Sequence, residues 1–215
     1  GNTNWYDKVY GTGTRTHHNI SATGGSDRVR FFASIGYLNE DGNIDNYGYN
    51  RLNLRSNIDA KLTKSLTFTL GVSGRIEKRD SPRYSADPNA WHNVPQQIIR
   101  ALPYVPDTYE YEGKTYNVST PTASSPVAPV ASINESGYSK SNYSYIQSNF
   151  SLKYDAPWLK GLSFKFQGAY DLTYNFSKIL SNPYEVMIMN LPTIESTSLT
   201  YYKGTDASGN SISLS

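Results

Sequence analysis

Apolar and polar residues alternate one for one along most of the chain. From Arg28 to Leu38 the odd positions carry Val29, Phe31, Ala33, Ile35 and Tyr37, and the even ones include Arg28, Arg30, Ser34 and Gly36, with Phe32 out of step. From Arg51 to Leu62 the division is cleaner: Leu52, Leu54, Ile58, Ala60 and Leu62 on one side, Arg51, Asn53, Arg55, Asn57, Asp59 and Lys61 on the other. The pattern returns from Leu66 to Glu77, from Ile146 to Asp155 and from Leu162 to Phe176, where Phe164, Phe166, Tyr170, Leu172 and Tyr174 oppose Ser163, Lys165, Gln167, Asp171 and Asn175. Successive strand side chains point to opposite faces, so this period predicts strands with one greasy and one wet face. A shorter stretch, His18 to Thr23, predicts a first strand. Each long stretch runs for about 9–11 residues or more, the length a tilted strand needs to cross a bilayer.

The links between these strands sort by length. Gly24-Gly25-Ser26-Asp27, Thr63-Lys64-Ser65 and Asp155 to Gly161 are short; Asn39 to Asn50 and Lys78 to about Lys140 are long, and the two kinds alternate. An up-and-down barrel places short turns at its periplasmic rim and long loops at its extracellular rim. Within the long link, Asp87-Pro88-Asn89 predicts the start of a short helix running to Ile99 or Arg100, with Pro95 in tension with its interior. Pro103, Pro106, Pro121, Pro126 and Pro129 predict extended, irregular chain. Tyr109 to Tyr116 and Leu199 to Leu214 each read as a small hairpin.

Composition is neutral on this choice. Only 37% of the 215 residues are hydrophobic and mean hydropathy is -0.57, but a barrel strand averages out its own hydropathy. Tyr is abundant, 19 residues, and suits membrane interfaces because its ring is apolar and its hydroxyl wet. No apolar run approaches the roughly 20 residues of a membrane helix. The net charge of +2 comes from scattered residues, which argues against a nucleic-acid surface. Cys is absent, excluding disulfides and thiolate metal sites.

Two architectures bury such an alternating face: a soluble sandwich, as in a glycan-binding or adhesin-type β domain, and a membrane barrel. Arg51, Arg55, Asp59, Lys61, Arg75 and Glu77 all fall mid-strand on polar faces, and no strand carries a charge on its apolar face between its ends. A wet barrel interior holds such groups and the lipid face rejects them. A structure in which Leu52, Phe68, Phe150 and Phe164 pack against a second protein layer would favour the sandwich.

Particular words then resemble a known family. Asn4-Trp5-Tyr6-Asp7-Lys8-Val9-Tyr10 resembles the stretch by which SusC/RagA-like TonB-dependent transporters pass from plug to barrel. His18 to Asp27 resembles their first hairpin, Phe32 to Gly42 the end of the following strand, and Tyr49 to Asp59 their alternating Arg-x-Asn-x-Arg-x-Asn-x-Asp word. The resemblance is specific over 1–78 and weaker over 140–176. It implies an all-β, antiparallel up-and-down transmembrane barrel of about 22 strands around a plug, of which about six lie here. It also implies residues 1–16 as the link from the plug, 17–78 as four strands, 79–139 as a long extracellular loop, 140–176 as two strands and 177–215 as another extracellular loop. The implied setting is the bacterial outer membrane, and the implied work is import of glycans or peptides under a SusD-like lipoprotein lid. Contact with TonB would be made through a plug-side segment outside this chain.

Site chemistry is sparse. His17 and His18 are adjacent and point to opposite strand faces, and His92 stands alone, so no metal site, cofactor or catalytic set is expected. Asp41 to Asp45 and Asp206 to Asn210 lack the ligand spacing of a calcium loop and read as turns. Tyr84, Trp91, His92, Asn93, Gln96 and Tyr104 in the long loop suit stacking on sugars or hydrogen bonding to a peptide, or else pack the loop. The row Arg51, Asn53, Arg55, Asn57 and Asp59, with Arg75, is expected to face the lumen and plug.

Overall fold

A computed structural model describes residues 2–83, 94–119, 127–190, 200–205 and 211–212. Six strands form one antiparallel up-and-down sheet: β1 (Thr14–Gly25), β2 (Val29–Asp41), β3 (Gly48–Lys61), β4 (Leu66–Pro82), β7 (Gly137–Asp155) and β8 (Ser163–Ser181), in the order β1-β2-β3-β4-β7-β8. Between β4 and β7 lie α2 (Val94–Arg100), β5 (Thr108–Tyr111), β6 (Lys114–Ser119) and α3 (Pro129–Asn134); α1 (Trp5–Val9) precedes β1, and β9 (Glu185–Asn190), β10 (Thr200–Thr205) and β11 (Ser211–Ile212) follow β8.

The register is unbroken across the sheet, so its two faces can be followed row by row. One row runs Ile20, Ile35, Leu54, Gly74, Ile146, Leu172, and another Gly24, Phe31, Ile58, Leu70, Phe150, Gly168. These apolar side chains are uncovered: Ile20 is 71% exposed, Phe166 65% and Tyr170 65%. Leu52 and Phe68 are half-buried and Phe150 and Phe164 exposed, with no second layer over them among the described residues. From Ile76 down to Leu66 the apolar face covers about ten residues, which at about 3.4 Å per residue and about 40° of tilt spans about 26 Å, matching the lipid-facing band of outer-membrane barrels. At the lower edge Tyr154 and Trp158 bring their rings to 5.8 Å, as in an interfacial aromatic girdle.

Strand lengths exceed the sequence expectation. β1 is twice the predicted stretch, β7 begins at Gly137 rather than about Lys140, and β8 runs to Ser181 rather than Phe176. Alternation stops where the face leaves the band, because rows such as Asn50, Lys78 and Asn142 are polar on the outward side as well; the ladder continues without it. The link between β2 and β3 consequently shrinks to 42–47.

At the same rim sits a second unit. Its five-stranded sheet has the order β11-β10-β9-β6-β5, with β6 and β9 parallel. Trp5, Ala101, Val105, Val118, Val127, Met187 and Met189 form its core. A further cluster joins Val9 of α1, Ile44 of the 42–47 link, Val94 of α2 and Ile133 of α3. Trp5 donates its indole N–H to the Leu102 carbonyl at 2.9 Å, satisfying the one polar atom of a buried ring. The segment before β1 therefore meets the sheet at its long-loop rim, where α1 is part of the loop unit. The predicted hairpin at Tyr109 to Tyr116 is present, turning through Glu112 (φ 50°) and Gly113 (φ 75°), the paired positive φ of a type I′ turn. The tail hairpin is present as β10 and β11, paired at Lys203 with Ile212 and Gly204 with Ser211.

One helix in the loop, α3, runs against the sequence reading, whereas α2 ends at Arg100 as expected. Pro129 opens α3 instead of extending the chain, since proline fits a helix's first turn, where its missing N–H has no partner to lose. Pro95 is tolerated near the start of α2 for the same reason. The predicted helix start at 87–89 lies outside the described residues.

Candidate functional site: the charged face of the sheet

The face opposite the apolar band carries the chemistry. Arg51, Asn53, Arg55, Asn57 and Asp59 line it along β3, and in register with them on β4 stand Glu77 opposite Arg51 and Arg75 opposite Asn53. Glu77 is the organising group. It is 4% exposed, yet what surrounds it is polar and aromatic rather than aliphatic. Arg75 Nε approaches one carboxylate oxygen at 3.0 Å and Arg79 Nη2 the other at 3.1 Å. The Arg75 guanidinium lies 4.4 Å from the Tyr145 ring centroid. That of Arg79 lies 5.5 Å from Tyr49 and 5.4 Å from Tyr143. Each ring face favours the cation beside it, so the carboxylate is held in a cage of guanidinium and phenol groups.

The cage leaves positive charge unspent. Arg75 and Arg79 share a single carboxylate, and Arg51, opposite it in register, has its Nε buried with no hydrogen-bond partner among the described residues. The outer parts of Arg75 and Arg79 remain accessible, with side chains 45% and 59% exposed. This wall can receive carboxylate, carbonyl or hydroxyl oxygens. No group of three or more metal-ligating side chains occurs among the described residues.

Tyr84, Trp91, His92 and Asn93 lie outside the described residues. Gln96 is exposed on α2, and Tyr104 is 47% exposed just beyond it. Glu77 was placed on the polar face without a site role, and Arg79, Tyr49, Tyr143 and Tyr145 went unselected, although strict alternation places them on the wet face; the signal was their register with Arg51, which a sequence read strand by strand does not reveal. In the loop unit, Ser132 Oγ donates to Gln97 Oε1 at 2.9 Å and lies 2.9 Å from the Tyr184 hydroxyl, pinning α2, α3 and the approach to β9.

Over 79 residues the chain is 33% identical to a protein named TonB-dependent receptor P3 of Formosa agariphila, covering 37% of this chain and 8% of that one. Its fold is similar to a chain of the RagAB peptide importer in the closed-closed state, with a TM-score of 0.61 at 19% identity over 94% of this chain. The chain is similar in sequence to a stretch of TonB-dependent receptor, and its fold is that of a stretch of the RagAB chain. TonB-dependent receptor P39 of the same organism is similar too, at 30% identity over 74 residues. The RagAB importer in its open-open state is similar at a TM-score of 0.60. No protein-family model matches the chain. It spans 22% of the RagAB chain and under a tenth of the receptors it matches. The TonB-dependent receptor likeness places the sheet in the bacterial outer membrane. The proteins it matches are named as receptors and an importer, not as enzymes.

Proposed function

We propose that this stretch is barrel wall of a TonB-dependent importer that takes up glycans or peptides beneath a SusD-like lipoprotein lid. Its energy would come from TonB acting through a plug-side segment outside this chain. The observation that carries the reading is the division of one continuous sheet into an uncovered apolar band and a charged face built around Glu77. A transporter wall needs both at once: lipid on one side and a hydrated, plugged lumen on the other. In this reading Arg51, Asn53, Arg55, Asn57, Asp59 and Arg75 grip the plug, while the loop residues Tyr84, Trp91, His92, Asn93, Gln96 and Tyr104 meet substrate or lid. The edges β1 and β8 pair with further strands, because an unpaired backbone group in hydrocarbon costs several kcal/mol. The wall takes no part in bond-making chemistry.

The test is uptake by the full-length receptor in cells. Deletion is expected to abolish import of one class, labelled oligosaccharides or labelled oligopeptides, and wild-type import is expected to stop when TonB is removed. Undiminished import of both classes in the deletion strain, against a library of each, would overturn the proposal.

A further inference from the structure

The outward face is free of Lys, Arg, Asp and Glu throughout its apolar band, and then acquires them within two rows at the long-loop rim. Lys78 on β4 stands opposite Asn142, and one row above it Asp80, Lys140 and Lys178 lie side by side on β4, β7 and β8. Lys140 and Lys178 are thus direct cross-strand partners of like charge, an arrangement that is destabilising by itself. Both lean on one ring: their ammonium groups lie 5.1 Å and 5.7 Å from the Tyr138 centroid. Asp80 reaches only Lys140, at 4.0 Å, and Asp41, two strands away, accepts from Thr14 Oγ1 at 2.9 Å. Among the described residues Lys78 and Lys178 have no carboxylate within 4.0 Å, while Asp41 and Asp45 share with Asp80 the cleft that Lys140 lines, one row above Phe176.

We propose that Lys140, Lys178 and Lys78, braced by Tyr138, form a binding site for the phosphate of an outer-leaflet lipid headgroup. The position selects the occupant. The cluster continues the lipid-facing surface upward by one or two rows, about 5–10 Å above the apolar band, which is headgroup depth. Lysines at that depth attract anionic headgroups. An anion bound between Lys140 and Lys178 removes the repulsion that the bare pair carries. The inference rests on the lipid-facing assignment of the sheet and is independent of what the receptor imports.

The test uses the full-length receptor in detergent micelles, titrated with phosphorylated lipid A, with dephosphorylated lipid A and with inorganic phosphate. Wild-type protein is expected to bind the phosphorylated lipid, and K140Q/K178Q to bind it about thirtyfold more weakly, the factor two interfacial lysines supply. K140R/K178R is expected to restore binding, and heat-modifiable migration on gels would confirm that each variant has folded. Equal binding of phosphorylated and dephosphorylated lipid, or equal binding by wild type and K140Q/K178Q, would overturn the site. Inorganic phosphate competing as well as the lipid would replace the headgroup with a soluble anion and overturn it as well. A Phe150→Trp variant in vesicles separates the underlying assumption: fluorescence quenched by brominated acyl chains retains the lipid face, so that a binding failure then counts against the lysines alone.

Discussion

The ring of Phe150 lies over Gly168 on the neighbouring strand, so close that a Cβ on the glycine would sit 2.7 Å from the ring's Cε1. At the far side of the same row Phe31 covers Gly24, where a Cβ would meet Cε1 at 2.9 Å. An aromatic ring laid across a strand glycine shields the exposed backbone while leaving room for strand curvature. Replacing Gly168 with Val is expected to push Phe150 off its rotamer and cost about 1–3 kcal/mol, as overpacking does. Urea unfolding of the refolded full-length receptor measures it, and the cost should vanish in the G168V/F150A double variant.

Charge scanning reads the two faces directly. Ile146 and Gln147 are consecutive on β7, the first on the apolar face and the second on the charged face. An arginine at 146 is expected to destabilise the barrel by about 2–4 kcal/mol, the cost near a bilayer midplane. An arginine at 147 should cost well under half as much. Equal costs at the two positions would contradict the division of the sheet.

Glu77 predicts a charge effect on the wet side. Glu77→Gln leaves Arg75 and Arg79 without their shared carboxylate. Losing one partner of a fully buried pair costs about 3–5 kcal/mol, but here the guanidinium groups are half in water, so a loss of about 1 kcal/mol is expected. Denaturant unfolding of the variant measures it.

Replacement of Arg51 and Arg55 together by Gln should act on the plug rather than on the barrel. Limited proteolysis of the full-length receptor is expected to cut the plug several-fold faster than in wild type. Unchanged plug cleavage would remove these residues from the plug contact.

The loop unit carries a pH dependence. Lys8 Nζ lies 2.6 Å from Asp107 Oδ2, and this hydrogen bond, above all, lowers the Asp107 pKa below its ordinary value of 3.8. A carboxylate lowered on folding stabilises the folded unit above its unfolded pKa, and the gain is lost as pH falls through the folded one. The α1 attachment should therefore hold from neutral pH down to about pH 4 and weaken below it. Pepsin cleavage near 1–13 should rise over that acid interval in wild type, and Lys8→Met should flatten the rise. The effect is small, under about 1 kcal/mol, because both side chains are partly solvated.

How far the sequence disclosed this fold depends on which interaction shapes each part. The six long strands were legible because lipid imposes a period of two: Leu52, Leu54 and Ile58 must alternate with Arg51, Asn53 and Asn57. Beyond the band both faces meet water, so Tyr138, Lys140 and Asn142 carry no contrast and the start of β7 was invisible. β9 was missed for the opposite reason. Val186, Met187 and Met189 are all buried, so this strand is covered on both sides and reads as a plain apolar run. Helix α1 is too short for a period, and its anchor, Trp5, is buried by residues distant in sequence. The charged face was half legible: Arg51, Arg55 and Arg75 follow from alternation, whereas the Glu77 cage depends on a register that only strand pairing supplies.

The parallel pairing of β6 with β9 has a temporal consequence. Its two strands reach each other only after β7 and β8 have been laid down between them, and the core they close also draws Trp5 from before the first strand. The core of the rim unit therefore cannot close until the chain from Trp5 through Met189 is present, so a chain ending before β9 would leave β6 without its parallel partner.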